Sequence, residues 1–278
     1  MNGFYWIASY PKSGNTWLRL FLEALLAGSL DINRLKKAGG HAAIRAEFDR
    51  LLDIPSSDLT DDEITNARPS LYQIEANAAT QPMFRKAHDA WHLTPAGKPL
   101  FPPELTLGAV YLVRDPRDVA VSLAHHLVQD IDRTIMRMND PTAVMERAKL
   151  RMQSQLPQRL LTWQQHVQSW LNAPIPVLLV KYEDLLTDPV NRFGEIADFL
   201  KLAVTSEQIA AAVQAVQFDR LRDLEASNGF AEKPPDASRF FRRGIAGGWQ
   251  DTLTPTQIER IEVHHADMMR QLGYMSLG

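Results

Sequence analysis

An α/β architecture, a central parallel sheet flanked by helices, is what this sequence predicts, and three observations carry it. Residues 4–9, 109–113 and 177–181 are short unbroken apolar runs, too brief for buried helices and typical of strands covered on both faces. Each is followed by a loop and then by a stretch with a hydrophobic period near 3.6. No composition break or internal repeat divides the 278 residues, so they read as one domain over 1–278.

Composition excludes several classes. Hydrophobic residues make up 45% and charged residues 23% of the chain, with 14 Gly and 17 Pro scattered through it, which is a globular profile and not a disordered one. The balance of 30 Lys+Arg against 33 Asp+Glu gives a net charge of −3. No bulk basic field exists to hold nucleic acid or anionic lipid, so an anionic ligand must be held by a local cluster. With 0 Cys, disulfides, thiolate nucleophiles and cysteine zinc sites are out. No basic leader precedes Pro11 and no apolar run approaches the roughly 18 residues of a membrane span. A cytoplasmic protein without nucleic-acid partners is the expectation.

The elements follow in order. Phe4 to Ser9 is a strand, and a helix opens at Thr16 with Trp17, Leu18, Leu20, Phe21 and Leu25 on its apolar side. Residues 31–82 suggest several short helices broken at Gly39-Gly40, Pro55 and Pro69. A short strand covers 83–88. After the strand 109–113, Asp115 caps a helix over 116–127 with Pro116 in its first turn. Residues 141–149 and 156–171 read as helices, 177–181 as a strand, and 190–200, 206–216 and 218–226 as helices. A long loop spans 227–250, and Thr254-Pro-Thr-Gln257 is a capping box that opens the last helix, running to about 272.

Three clusters carry chemistry. Tyr10-Pro-Lys-Ser-Gly-Asn-Thr-Trp17 joins the first strand to its helix, where free N–H groups and the helix dipole favour an anion. Lys12 adds charge there, and Ser13, Asn15 and Thr16 add short donors. It is not a Walker A loop, because Lys12 precedes Gly14 instead of following the last Gly. Arg114 ends the strand 109–113, at the edge where open α/β sheets place ligands, and Ser122 stands two turns along the next helix. Arg242-Arg243-Gly244 lies in the long loop beside Phe240 and Phe241, its Gly permitting close backbone approach. The bland alternatives are a polar turn, a salt bridge from Arg114 to Asp115 or Asp118, a packed helical Ser122 and a solvated arginine pair.

Taken together, YPKSGNTW, YLVRDPRDVAVS, Tyr182-Glu183-Asp184 and FFRRGIAGGW resemble, in order and separation, the cytosolic-type sulfotransferases that use 3′-phosphoadenosine 5′-phosphosulfate (PAPS). The resemblance implies a single P-loop-like domain. It implies that Lys12, Ser13, Gly14, Asn15 and Thr16 bind the 5′-phosphosulfate, that Trp17 and Tyr182 contact the adenine with Phe218 stacked near it, and that Arg114, Ser122, Arg242, Arg243 and Gly244 hold the 3′-phosphate. His88, in FRKAH, corresponds to the family's base, and Lys86 projects to the same side of its strand. Asn15 replaces the usual Thr, Ala87 the usual Thr beside the base, Arg243 the usual Lys, and Val216 a polar residue near the adenine.

The implied reaction is in-line transfer of sulfonate from PAPS to the hydroxyl of a small molecule, leaving the bisphosphate PAP, with Lys12 stabilising the leaving oxygen and no metal required. His92 and Asp89 compete with His88 as base. The pairs His125-His126 and His264-His265 diverge by about 100° on their helices and form no two-histidine metal face. A P-loop nucleotide kinase is the alternative enzyme, opposed by the order of Lys12 and Gly14; a non-catalytic nucleotide-binding module is the other, opposed by Lys86 and His88. Segments 31–82, 128–156 and 227–241 are expected to wall the acceptor pocket. Tyr72, Trp91, Phe101 and Phe230 are apolar candidates there, or else ordinary packing. Acceptor identity and oligomeric state have no signal in the sequence.

Overall fold

The strands Phe4–Ser9 (β1), Met83–Ala87 (β2), Thr106–Val113 (β3) and Val177–Lys181 form one parallel sheet in the order β2, β1, β3 and the 177–181 strand. The computed structural model describes residues 2–35, 37–146, 153–234 and 237–276. A two-stranded antiparallel ribbon of Val144–Met145 (β4) and Gln158–Arg159 (β5) precedes the last sheet strand, which is therefore β6. The described helices are α1 (Asn15–Ala27), α2 (Arg45–Leu52), α3 (Asp61–Ala78), α4 (Pro116–Leu127), α5 (Ile131–Met138), α6 (Trp163–Leu171), α7 (Tyr182–Thr187), α8 (Pro189–Phe199), α9 (Ser206–Ala215), α10 (Phe218–Asn228) and α11 (Pro255–Gln271).

Strand alternation divides the core in two. Phe4, Trp6 and Ala8 of β1, with Ala109, Tyr111 and Val113 of β3, pack against α3, α4, α5, α6 and α11. Tyr5 and Ile7, with Val110 and Leu112, pack against α1, α8 and α9. All six β1 side chains are buried, which is why that run is continuously apolar. Burying a side chain of this size contributes about 1.5–3 kcal/mol, so the central strands are the most firmly held part of the molecule.

Register then places the site. Ala8 pairs with Ala87, Ser9 with Leu112 and Val113 with Lys181, so the residues that leave the four strands, Tyr10, His88, Arg114 and Tyr182, emerge along one carboxyl edge. Asp115 caps α4 by accepting from the Arg117 N–H, and the Thr254–Gln257 capping box forms at α11.

Several expectations need correction. Residues 141–146 are a turn and β4, not the start of a helix; Asp140 accepts from both Thr142 N–H and its hydroxyl, a local turn that competes with helix. Positions 147–149 of that expected helix lie outside the described residues. The helix expected from 156 begins only at Trp163, because a Thr162–Gln165 capping box starts it there and Arg159 is held extended by its N–H bond to Asp89. Pro69 does not break α3: a Thr60–Glu63 capping box starts the helix, and burial of Ile64, Arg68, Leu71 and Tyr72 carries it through. Helix α5, capped by Asp130, was not anticipated.

Candidate active site

A cavity of about 840 Å³ opens at the carboxyl edge of the sheet. The loop from β1 to α1 forms its floor. Lys12 has a left-handed backbone (φ 71) and so does Gly14 (φ 102); for a lysine that conformation is strained by roughly 1–3 kcal/mol and persists only where the surroundings fix it. A Cβ on Gly14 would meet the Tyr182 ring at 2.8 Å. Glycine is thus required twice over, by its φ and by the ring that closes on it. Gly14 is the N-cap of helix α1, with no side-chain cap and no acid in the first turn, leaving N–H groups and the positive end of the dipole for an anion. Ser13 Oγ is buried with no partner.

Cations converge on this floor. Burial, with Lys86 and Arg114 nearby, pushes the Lys12 ammonium down to about 7. Its Nζ stands 4.4 Å from the centre of the Phe240 ring. Arg114 lies over the Tyr182 ring at 4.3 Å, and it donates to Ile245 O at 2.8 Å and to Lys12 O at 3.4 Å, while its Nε is buried and unpartnered. Asp118, 3.9 Å from Arg114, accepts from the Gly247 and Trp249 N–H groups and so pins the long loop beside the arginine. Ser122, Phe218, Arg242, Arg243 and Gly244 complete that end of the cavity. Gly244 has φ 62, and a Cβ on it would come within 2.2 Å of the Phe218 ring, so backbone and ring stack directly. Trp17 donates to Val216 O at 2.9 Å and meets Tyr182 edge-on at 5.9 Å. That bond uses the Val216 backbone, for which a polar side chain is not needed.

His88 faces the same cavity. Its Nδ1 is 2.9 Å from Ser9 O, an atom that only accepts, so the neutral ring carries its proton on Nδ1 and presents the Nε2 lone pair. Burial first, and then Lys86, hold this imidazole well below its usual range, which keeps it neutral at physiological pH. His166 Nε2 donates to His88 O at 3.0 Å, with Tyr111 OH donating in turn to His166 Nδ1. Next in the chain, Asp89 forms a buried two-pronged ion pair with Arg68, at 2.7 and 3.1 Å, which fixes the end of β2. Asp89 is thereby committed as a structural group, and His92 Nδ1 bonds Leu93 O. Neither lines the cavity.

Residues 4–273 match the sulfotransferase domain family. The chain belongs to that family. Across 275 residues it is 27% identical to sulfotransferase 1A1 of Canis lupus familiaris, covering 96% of this chain and 83% of that protein. It is 25% identical over 269 residues to flavonol 3-sulfotransferase of Flaveria bidentis, covering 92% and 78%. Among solved structures, retinol dehydratase in complex with androsterone and inactive cofactor PAP superposes with a TM-score of 0.61 at 22% identity, over 96% of this chain and 80% of that one. A mouse sulfotransferase complexed with PAP gives 0.61 at 19%, over 96% and 85%. The protein is a sulfotransferase with a P-loop-like fold, and its chemistry is sulfonate transfer.

Within this sulfotransferase one cavity is lined by the expected site residues except Ser13. The Asn15 amide turns back to β1, donating to Ile7 O at 2.8 Å and to Ser9 Oγ at 3.2 Å, so it braces the loop and leaves its backbone N–H for a ligand. Ser13 is fully buried and lies just behind the cavity wall. Tyr72, Phe101 and Phe230 are core residues, and Trp91 packs on that core.

Among the cavity residues outside every motif are Glu232, His126 and His41. Glu232, from the long loop, accepts from Thr16 Oγ1 at 3.2 Å, pairs with Arg19 at 2.6 Å and stands 3.6 Å from Lys86. Burial acts to raise its carboxyl, yet Lys86 and Arg19 hold it at about 2. Its partner Arg19 lies one turn beyond Thr16 on α1, at a position with only helix periodicity to mark it. His126, expected at the surface or in the core, lines the cavity, its imidazole pushed to about 3 by burial and by Lys12 and Lys86. His41 lines it as well.

Proposed function

We propose that PAPS is the sulfonate donor, held by Lys12, Gly14, Asn15 and Thr16 at its phosphosulfate, by Trp17, Tyr182 and Phe218 around its adenine, and by Arg114, Ser122, Arg242, Arg243 and Gly244 at its 3′-phosphate. The observation that supports this most is that Lys12, Lys86 and Arg114 line one cavity, where burial first and then the other two cations lower the Lys12 pKa. Glu232 and Asp118 offset part of this charge, and the cations left over, Lys12, Arg242 and Arg243 among them, fit a polyanion, as does the unpartnered Arg114 Nε. When bound, PAPS supplies an SO₃ group and departs as PAP.

In this reading the chain's own groups divide the chemistry. His88 Nε2 takes the proton of the acceptor hydroxyl, and the Ser9 carbonyl holds the ring in the tautomer that permits it. Lys12 stabilises negative charge growing on the leaving oxygen. Lys86, two residues before His88, compensates charge on the sulfonate oxygens. Ile44, Val121, Leu127, Val128, Met145 and Phe240 give the remaining wall an apolar character, suited to a small-molecule hydroxyl on a hydrophobic body.

Thermal unfolding tests the donor assignment. PAP should raise Tm while ATP with Mg²⁺ does not; the reverse pattern fits a nucleotide kinase and refutes the assignment.

A further inference from the structure

His41 belongs to none of the sequence motifs, yet its backbone extends the sheet at the point where the chemistry sits. Lys86 N donates to Gly40 O at 3.0 Å and Ala42 N donates to Lys86 O at 2.8 Å, so His41 pairs in parallel with Lys86. Parallel partners share a sheet face, and residues two apart on a strand share it too. His41, Lys86 and His88 therefore project to one side. The His41 and His88 rings lie 5.8 Å apart between centres, inclined at 66°.

The two rings are in opposite tautomers. Ala43 N–H donates to His41 Nδ1 at 3.0 Å, so the neutral His41 ring carries its proton on Nε2, whereas His88 carries it on Nδ1. Burial, with Lys86 and His88 close by, holds His41 well below the usual imidazole range and so neutral. His41 is only 8% exposed, lines the cavity, and its Nε2 has no hydrogen-bond partner. A buried N–H without a partner is a cost that a ligand atom removes. The site thus offers a lone pair on one imidazole and a donor on its neighbour.

We propose that His41 is an acceptor-positioning residue, its Nε2–H donating to an oxygen next to the attacking hydroxyl, so that the enzyme selects acceptors with two neighbouring oxygens, a pair that catechol carries. The pairing follows from the groups on each side. The attacking O–H donates to His88 Nε2, and the adjacent oxygen accepts from His41 Nε2 at an ordinary hydrogen-bond length of about 2.8–3.0 Å. A lone phenol satisfies one ring and leaves the other unpaired. The inference rests on the assignment of His88 as base.

The test compares catechol with its isomer hydroquinone, whose second oxygen is across the ring, in the wild-type enzyme and in His41→Phe and His41→Gln, with PAPS as donor. The wild type should favour catechol by about tenfold in kcat/KM, mostly through KM, from one hydrogen bond. His41→Phe should bring that ratio close to one. His41→Gln, which keeps an N–H near the position of Nε2, should restore most of it. PAP protection of Tm, measured on all three proteins, reports whether each is folded with its nucleotide site intact. An unselective wild type, a ratio unchanged in His41→Phe, or equal losses on both acceptors overturns the proposal. Transfer to neither diphenol in a wild type that PAP protects overturns it alone, whereas a wild type that PAP does not protect overturns the nucleotide reading beneath it.

Discussion

On the proposed reading the cavity has a nucleotide end and an acceptor end, and the two are built differently. At the nucleotide end, side chains hang from the strand ends, and backbone constraints lock them: Gly14 against the Tyr182 ring, Gly244 against Phe218, Arg114 between Tyr182 and the Ile245 carbonyl. At the acceptor end, walls come from the segment before α2, the end of β4, residues 153–155 before β5 and the loop after α10, and polar groups such as Glu232 and His41 enter from outside every motif. A donor that never changes suits a rigid sheet edge; acceptor choice is set by loops carried on it.

The sharpest way to separate the two ends is His88→Ala. Turnover should fall by about 10²- to 10⁴-fold with PAP affinity nearly unchanged; substantial residual turnover at neutral pH would assign the proton to another group. Lys12→Ala acts on both ends, lowering transfer by an amount on the order of 3 kcal/mol and weakening PAP as well. Loss of transfer alone would place Lys12 only at the leaving oxygen.

Lys12 also predicts a pH dependence at the nucleotide end. Its ammonium is depressed to about 7 in the free enzyme, and a bound anion raises it, so PAP binding near pH 7.5 should take up protons and weaken as pH rises through that range. Calorimetry in buffers of different ionisation enthalpy reads this directly, and proton release would contradict it. His88 behaves oppositely in consequence. Because it is depressed well below its usual range, its neutral, active form persists as pH falls past 6.5, and the acid limb of the rate profile should lie below that value.

The smallest expected effect is at the junction. Glu232 competes for Thr16, Arg19 and Lys86, groups that the reading gives in part to the sulfonate. Glu232→Gln should lower KM for PAPS severalfold, about 1 kcal/mol or less, and change PAP binding less, since PAP lacks the sulfonate. A raised KM would show the carboxylate to be an organiser of the site instead of a competitor.

The same division explains what the sequence reveals. Strands β1 and β3 and helix α4 are legible because burial on both faces and a capped, Pro-started helix leave local signatures; β6 shows the same apolar run but is an edge strand in which only Val180 is buried, not a strand covered on both faces. Lys12, His88 and Arg114 are legible because they sit at fixed offsets from those strands. His41 and Glu232 are not, since each reaches the cavity through a long-range contact, a single bridge to Lys86 and an ion pair to Arg19, with no local pattern. Pro69 and the 156–162 segment misled for the matching reason, because a capping box and tertiary contacts outweighed local propensity.

The most direct test of the central claim is the thermal shift given by PAP in the wild type and in Arg114→Ala. A polyanionic nucleotide held at this sheet edge predicts a clear rise in Tm for the wild type and its near loss in the variant, at a nucleotide concentration well above the wild-type Kd. A variant protected as strongly as the wild type would contradict the placement of the 3′-phosphate at Arg114.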